Sequence, residues 1–170
     1  MLRLVEVAEA KNVQREFEFM GKGLVLLRVT VGGKTPSPYH WILEDGRKPG
    51  LDVSFHPTYG SLSYLKFFLQ DEKVKVEPLS LSVNELSGLP VFEMTEWSES
   101  QYYVTEHGTV ESVFDGRNLY LIRTGYIPLL CIRVNQSFSM LFADNKAFSG
   151  VIFHNIGDDE IQSLKDAGPL

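Results

Sequence analysis

The loop Gly32-Gly33-Lys34-Thr35 is the stretch whose residue types come nearest to a known chemical motif. It resembles the end of a phosphate-binding loop, in which backbone amides cradle a phosphate at the start of a helix. That motif also needs a glycine at position 28, where this chain has Arg28. Pro36-Ser37-Pro38 follows and blocks the required helix. The sequence therefore argues against a nucleotide-binding loop.

Metal or nucleophilic chemistry would need the histidines or the single cysteine. The histidines are His40, His56, His107 and His154. None has the i,i+2 or i,i+4 spacing typical of metal ligands, which favours structural roles without a metal or cofactor. Cys131 lies in an apolar run, which predicts a buried thiol of low reactivity. With no nucleophile elbow and no distinctive carboxylate pair, we expect no catalytic residues, and an enzyme with dispersed catalytic residues stays an alternative.

An acidic segment without Lys or Arg runs from Val76 to Gly116. It contains eight carboxylates, and since the net charge of the chain is −6, the remainder carries +2. At the centre of this segment acidic and aromatic residues coincide. The candidate partner-binding residues are Glu93, Glu96, Trp97, Glu99, Tyr102, Tyr103 and Glu106.

Two interpretations of this centre are open. Carboxylates on a solvated surface need no function. Aromatic side chains, however, are typical of binding hot spots, and a field of one sign speeds the encounter with an oppositely charged protein. The second interpretation predicts docking to a basic protein partner.

Length and composition limit the remaining options. A chain of 170 residues with 44% hydrophobic content fits a single folded domain over residues 1–170. The net charge of −6 argues against nucleic acid as a partner. No window approaches the ~20 apolar residues that span a bilayer, so we expect no membrane association. The lone cysteine and the absence of a signal-peptide pattern at the start favour a cytoplasmic location, and the oligomeric state is left open.

Alternating apolar and polar residues predict a mainly β, or α+β, fold with antiparallel sheets around one core. Phe17 and Phe19 alternate with glutamates, and Leu51–Phe55 and Phe138–Phe142 have the same period of two. Helix signals are few. The acidic start Asp158–Glu160 and the stop Gly168-Pro169 predict a short C-terminal helix near 158–167. Ser82 and Glu85 have capping-box spacing, which predicts one more helical turn.

Two hairpins resemble each other. One runs from Leu51–Phe55 into Leu62–Phe67, and the other runs from Phe138–Phe142 into Phe148–Phe153. Hairpins share generic features, so this likeness alone decides little. A duplicated β unit is the sharper hypothesis, with similar halves at 1–85 and 86–170 that share one core.

The acidic aromatic stretch Glu93–Glu106, the hairpin and closing helix of Phe138–Lys165 and the lack of a catalytic motif together resemble the immunity proteins of bacterial toxin–immunity systems. The resemblance is one of type and transfers no family residues. It implies stoichiometric binding and neutralisation of one cognate toxin. The alternative is a small-molecule or peptide-binding β module in which Tyr39, Trp41, Tyr59 and Tyr64 line a pocket.

Overall fold

Fifteen strands and one helix make up the chain, and the computed structural model describes all 170 residues. In chain order the elements are β1 (Leu4–Ala8), β2 (Val13–Phe19), β3 (Leu24–Val31), β4 (Tyr39–Glu44), β5 (Leu51–Phe55), β6 (Leu62–Gln70), β7 (Lys75–Val76), β8 (Asn84–Ser87), β9 (Leu89–Phe92), β10 (Tyr103–His107), β11 (Val110–Phe114), β12 (Leu119–Arg123), β13 (Leu130–Arg133), β14 (Phe138–Phe142), β15 (Phe148–Phe153) and α1 (Asp158–Ala167). The predicted mainly β fold with a short C-terminal helix is confirmed. No helix is long and apolar enough to cross a membrane.

The strands form three sheets. The first large sheet has the order β10-β4-β5-β6-β3-β2, and the second has the order β7-β11-β12-β15-β14-β13-β8. A separate ribbon pairs β1 with β9. Neighbouring strands are antiparallel except at the margins, where β10 runs parallel to β4, β7 to β11 and β8 to β13. Three of the four outermost strands of the large sheets are therefore added in parallel.

One hydrophobic core of 36 buried residues joins the two large sheets. The alternation within each strand sends one set of side chains into this core, as the period of two requires. Phe17 of β2 meets Phe153 of β15 edge to face at a centroid distance of 5.3 Å. Trp41 of β4 meets Phe148 of β15 at the same distance. Aromatic rings from both sheets thus interlock.

The helix α1 closes the core at one side. The Glu160 carboxylate accepts a hydrogen bond from the Gly157 amide at 2.9 Å, and Gly168 ends the helix with a left-handed φ of 102°. Leu164 and Ala167 are buried, and the helix packs against β2 and β3. The sequence signals at both ends of the helix are therefore realised.

A connecting segment covers the outer face of the second large sheet. Leu79, Leu81 and Val83 pack over a small cluster that includes Cys131 and Tyr120. The chain then enters β8, which corrects the helical turn expected at Ser82–Glu85. Tertiary pairing overrides the local capping signal here, because the backbone of residues 84–88 bonds to β13 and to Leu129, the residue directly before it.

Five consecutive strands have the same spatial order in each of the two large sheets. In the first, strands β2 to β6 have the spatial order β4-β5-β6-β3-β2, and in the second, β11 to β15 have the order β13-β14-β15-β12-β11. The margins are exchanged, since β10 joins the first sheet whereas β7 and β8 join the second. Duplication of halves 1–85 and 86–170 stays a prediction.

Candidate functional site

The loop between β9 and β10 carries most of the acidic aromatic centre. Trp97 anchors this loop, since its side chain is only 7% exposed and its ring lies 4.9 Å from the Phe55 ring. Its indole N–H donates a hydrogen bond to the His40 carbonyl at 2.9 Å. Trp97 is thus a core residue that fixes the loop, and it offers no surface to a partner.

Glu106 faces a buried polar network. Its carboxylate accepts hydrogen bonds from the Trp41 indole and from the Arg123 guanidinium, the latter at 3.1 Å, and lies 3.2 Å from the amino group of Met1. Burial alone would raise the pKa of Glu106, but the hydrogen bonds from Trp41 and Arg123 outweigh it and lower the pKa. Arg123 is 4% exposed and stacks on Tyr126 at 4.0 Å. Glu106 therefore stabilises the fold through contacts within the chain.

Five of the seven predicted residues form a surface that we call the acidic aromatic rim: Glu93, Glu96, Glu99, Tyr102 and Tyr103. Glu99 sits at the tip of a tight turn closed by backbone hydrogen bonds between Ser98 and Gln101, and it makes no ion pair. Tyr103 is 57% exposed.

The other rim residues have partners within the chain. Glu96 is exposed and pairs with the amino group of Met1, and Glu93 lies 3.8 Å from Arg3. Tyr102 is half-buried against Tyr39 at 5.4 Å. The exposed groups without an ion pair are therefore Glu99 and Tyr103.

A polar cluster that sequence reasoning missed lies beside the rim. Nδ1 of His40 is 3.0 Å from Asp52 and 3.0 Å from the Ser54 hydroxyl, and the Tyr64 hydroxyl is 3.3 Å away. A carboxylate only accepts, so Nδ1 donates its proton to Asp52. The Tyr103 ring stacks on the His40 ring at 4.4 Å. The register between neighbouring strands brings these residues together. The only signal for this in the sequence is that each of them occupies an outward-facing position in the alternating pattern of its strand.

This cluster has the residue types of a hydrolase but not the access. Ser54 is fully buried, so its hydroxyl has no path to a substrate. Burial also raises the pKa of the Tyr64 hydroxyl, which makes it a poor base or nucleophile. The cluster fits a support that holds His40 and Tyr103 in place.

The alternative pocket requires a correction. Tyr39 and Trp41 are buried in the core, whereas Tyr64 lies on the opposite, outer face of the same sheet. Tyr59 is largely exposed in a turn, with its ring 4.5 Å from that of His56. Alternation places these aromatic rings on opposite faces, so they do not line one pocket.

Cys131 and the glycine-rich loop behave as their neighbours predict. Cys131 has a free thiol that is buried, as the apolar run predicts, and burial raises its pKa. The loop Gly32–Thr35 leads into strand β4 and not into a helix. Comparison of the chain with protein-family models and with curated proteins finds no match.

Proposed function

We propose that this chain is a non-catalytic protein-binding domain that docks a basic partner through the acidic aromatic rim. The observation that carries the proposal is the position of Glu99 and Tyr103. Both are exposed and free of ion pairs, and they stand only four residues apart beside a loop that Trp97 locks to the core. A rigid aromatic anchor next to an uncompensated carboxylate is the arrangement that binding hot spots favour.

The charge distribution supports the choice of partner. A field of one sign attracts a basic surface and repels nucleic acid, and the net charge of the chain is −6. A basic toxin domain in the cytoplasm is the partner class that the resemblance to immunity proteins implies. Binding at the cleft of such a toxin would neutralise it without any chemical step.

Affinity capture from the native host, followed by titration of the purified captured protein, tests the proposal. We expect one basic partner, and we expect the double variant Glu96→Lys/Glu99→Lys to bind it at least about tenfold more weakly. The matched control is Glu77→Lys/Glu85→Lys, which reverses two exposed acidic residues of the same acidic segment away from the rim. The control has the same net charge as the rim variant and should bind like wild type.

Three results would count against the proposal. The first is recovery of no stoichiometric basic protein. The second is a rim variant that binds within twofold of wild type, a ratio set by the usual precision of titration. The third is an equal loss of affinity in the rim variant and the control, which would indicate long-range attraction to net charge and no specific rim.

A further inference from the structure

Strand β10 is paired on one side only. The His40 amide donates to the Tyr102 carbonyl at 2.8 Å, and the Gly108 amide donates to the Glu44 carbonyl at 3.0 Å. In a parallel ladder, the amide and carbonyl of one residue point to the same side, and this side alternates along the strand. The backbone amides and carbonyls of the even-numbered residues of β10 therefore point to β4, and those of the odd-numbered residues point to the free edge.

The outward groups are open. The amides of Tyr103, Thr105 and His107 bond to no segment outside the sheet, and all three side chains are exposed. The Tyr103 carbonyl accepts a hydrogen bond from the Gln101 side chain at 2.6 Å. Three amide donors and the Thr105 carbonyl are left as a template for a further strand.

The other sheet margins differ from β10. At the far margin of the same sheet, β2 is in contact with α1, and in the second sheet β7 has only two residues. Strand β8 also has outward amides, at Glu85 and Ser87, since the amides of Asn84 and Gly88 bond to the carbonyls of Leu129 and Arg133. No exposed aromatic ring lies on β8. Only β10 combines an open edge with the rim.

We propose that a basic, extended segment of the partner adds to the free edge of β10 as a further strand. An uncompensated carboxylate precedes this edge, since Glu99 lies four residues before Tyr103 and makes no ion pair. Glu44 ends β4 and is paired with His107, so it lies on the paired side of β10 and not at the free edge. A lysine or arginine side chain of an added strand would pair with the Glu99 carboxylate while its backbone completes the ladder. This inference rests on the proposed function, because the rim selects the charge of the segment.

Amide hydrogen exchange with a defined probe tests the inference on the unmodified protein. The probe is a synthetic peptide of about ten alternating lysine and valine residues, a length that covers one strand. The negative control is the same peptide with glutamate in place of lysine. We expect the basic peptide to slow exchange of the Thr105 amide at least about tenfold and to leave the Glu85 amide unchanged.

Two outcomes of the exchange experiment would overturn the inference. One is an unchanged Thr105 amide at millimolar peptide. The other is protection of Thr105 that grows with protein concentration in the absence of peptide, which would identify a second copy of the chain as the occupant.

Thr105→Pro is the matching variant. Proline removes only the outward amide and leaves the bonds between β10 and β4, so the fold should be retained. We expect at least about tenfold weaker peptide binding for this variant, with little change for Thr105→Ala or for Ser87→Pro on β8. Equal binding by Thr105→Pro and wild type would overturn the inference, and circular dichroism checks the fold of each variant.

The two proposals fail in different ways. Both variants are titrated with the captured partner. If Glu96→Lys/Glu99→Lys loses binding and Thr105→Pro binds like wild type, rim docking is retained and strand addition is overturned. The opposite pattern would overturn rim docking, because the edge would then bind without selection by charge. Wild-type binding by both variants would overturn both proposals.

Discussion

Replacement of Glu106 by glutamine separates a structural role for this residue from a role in binding. Glutamine keeps the shape of the side chain and an oxygen that can accept from the Trp41 indole. It removes the negative charge that faces Arg123 across 3.1 Å. Nη1 of Arg123 already lacks a hydrogen-bond partner within the chain. The variant therefore leaves a nearly buried guanidinium with no counter-charge.

The size of the effect follows from the burial of the two partners. Breaking a fully buried ion pair costs about 3–5 kcal/mol. Arg123 is 4% exposed but Glu106 is 22% exposed, so water can compensate part of the loss. We expect Glu106→Gln to reduce the free energy of unfolding by about 2–3 kcal/mol. For a chain of this length, this corresponds to a fall in Tm of about 4–12 °C.

Equilibrium denaturation in urea measures this loss. The control is Glu99→Gln, which removes a charge from an exposed turn and should change stability by less than about 0.5 kcal/mol. The double variant Glu106→Gln/Arg123→Met removes both charges and should recover at least about half of the loss. A loss below about 1 kcal/mol for Glu106→Gln, or no recovery in the double variant, would refute a structural ion pair.

Three further predictions concern other parts of the fold. Trp97→Ala should lower the free energy of unfolding by about 3–5 kcal/mol and speed amide exchange in the rim loop, because the loop loses its anchor in the core. Burial and nearby arginines lower the pKa of His154 to about 4. As pH falls below about 6.5, the unfolded chain takes up this proton before the folded chain does, so the free energy of unfolding of wild type should fall by about 1–2 kcal/mol between pH 6.5 and 4. This figure is reduced because His154 is partly accessible to solvent. Denaturation at several pH values should show a shallower dependence on pH for His154→Gln. Gly150→Ala should cost at least about 3 kcal/mol, because φ is 153° and a Cβ would collide with the Leu121 carbonyl oxygen, whereas Gly125→Ala, with φ of 86° and open space, should cost about 1–2 kcal/mol in the same assay.

Local signals in the sequence predict much of the fold. The period of two in Leu51–Phe55 and Phe138–Phe142 marks real strands, and the acidic start and glycine stop mark α1. The turn expected at Ser82–Glu85 fails because its energetics are not local. Its backbone is satisfied by β13, more than forty residues later, and no capping pattern contains that information.

The candidate site is predicted only in part for the same reason. Composition identifies the segment Glu93–Glu106 but does not separate Trp97, which enters the core, from Tyr103, which is exposed. The cluster around His40 depends on the register of three strands, and register is set by contacts between distant parts of the chain. A single sequence gives the residue types of a surface more readily than it gives their neighbours.

The exchange of marginal strands has a consequence for biosynthesis. Strand β4 is synthesised long before its neighbour β10, because His40 of β4 pairs with Tyr103 of β10. His40 and Tyr103 are 63 positions apart in the chain, a stretch that takes roughly 3–13 s to synthesise at ~5–20 residues per second. During that interval the edge of β4 in the nascent chain is unpaired, and this strand carries side chains that are buried in the folded protein, including Tyr39 and Trp41. Chaperone capture and aggregation compete with folding at this stage. The arrival of β10 pairs the open edge of β4, whereas Trp41 stays uncovered until Phe148 of β15 has been made.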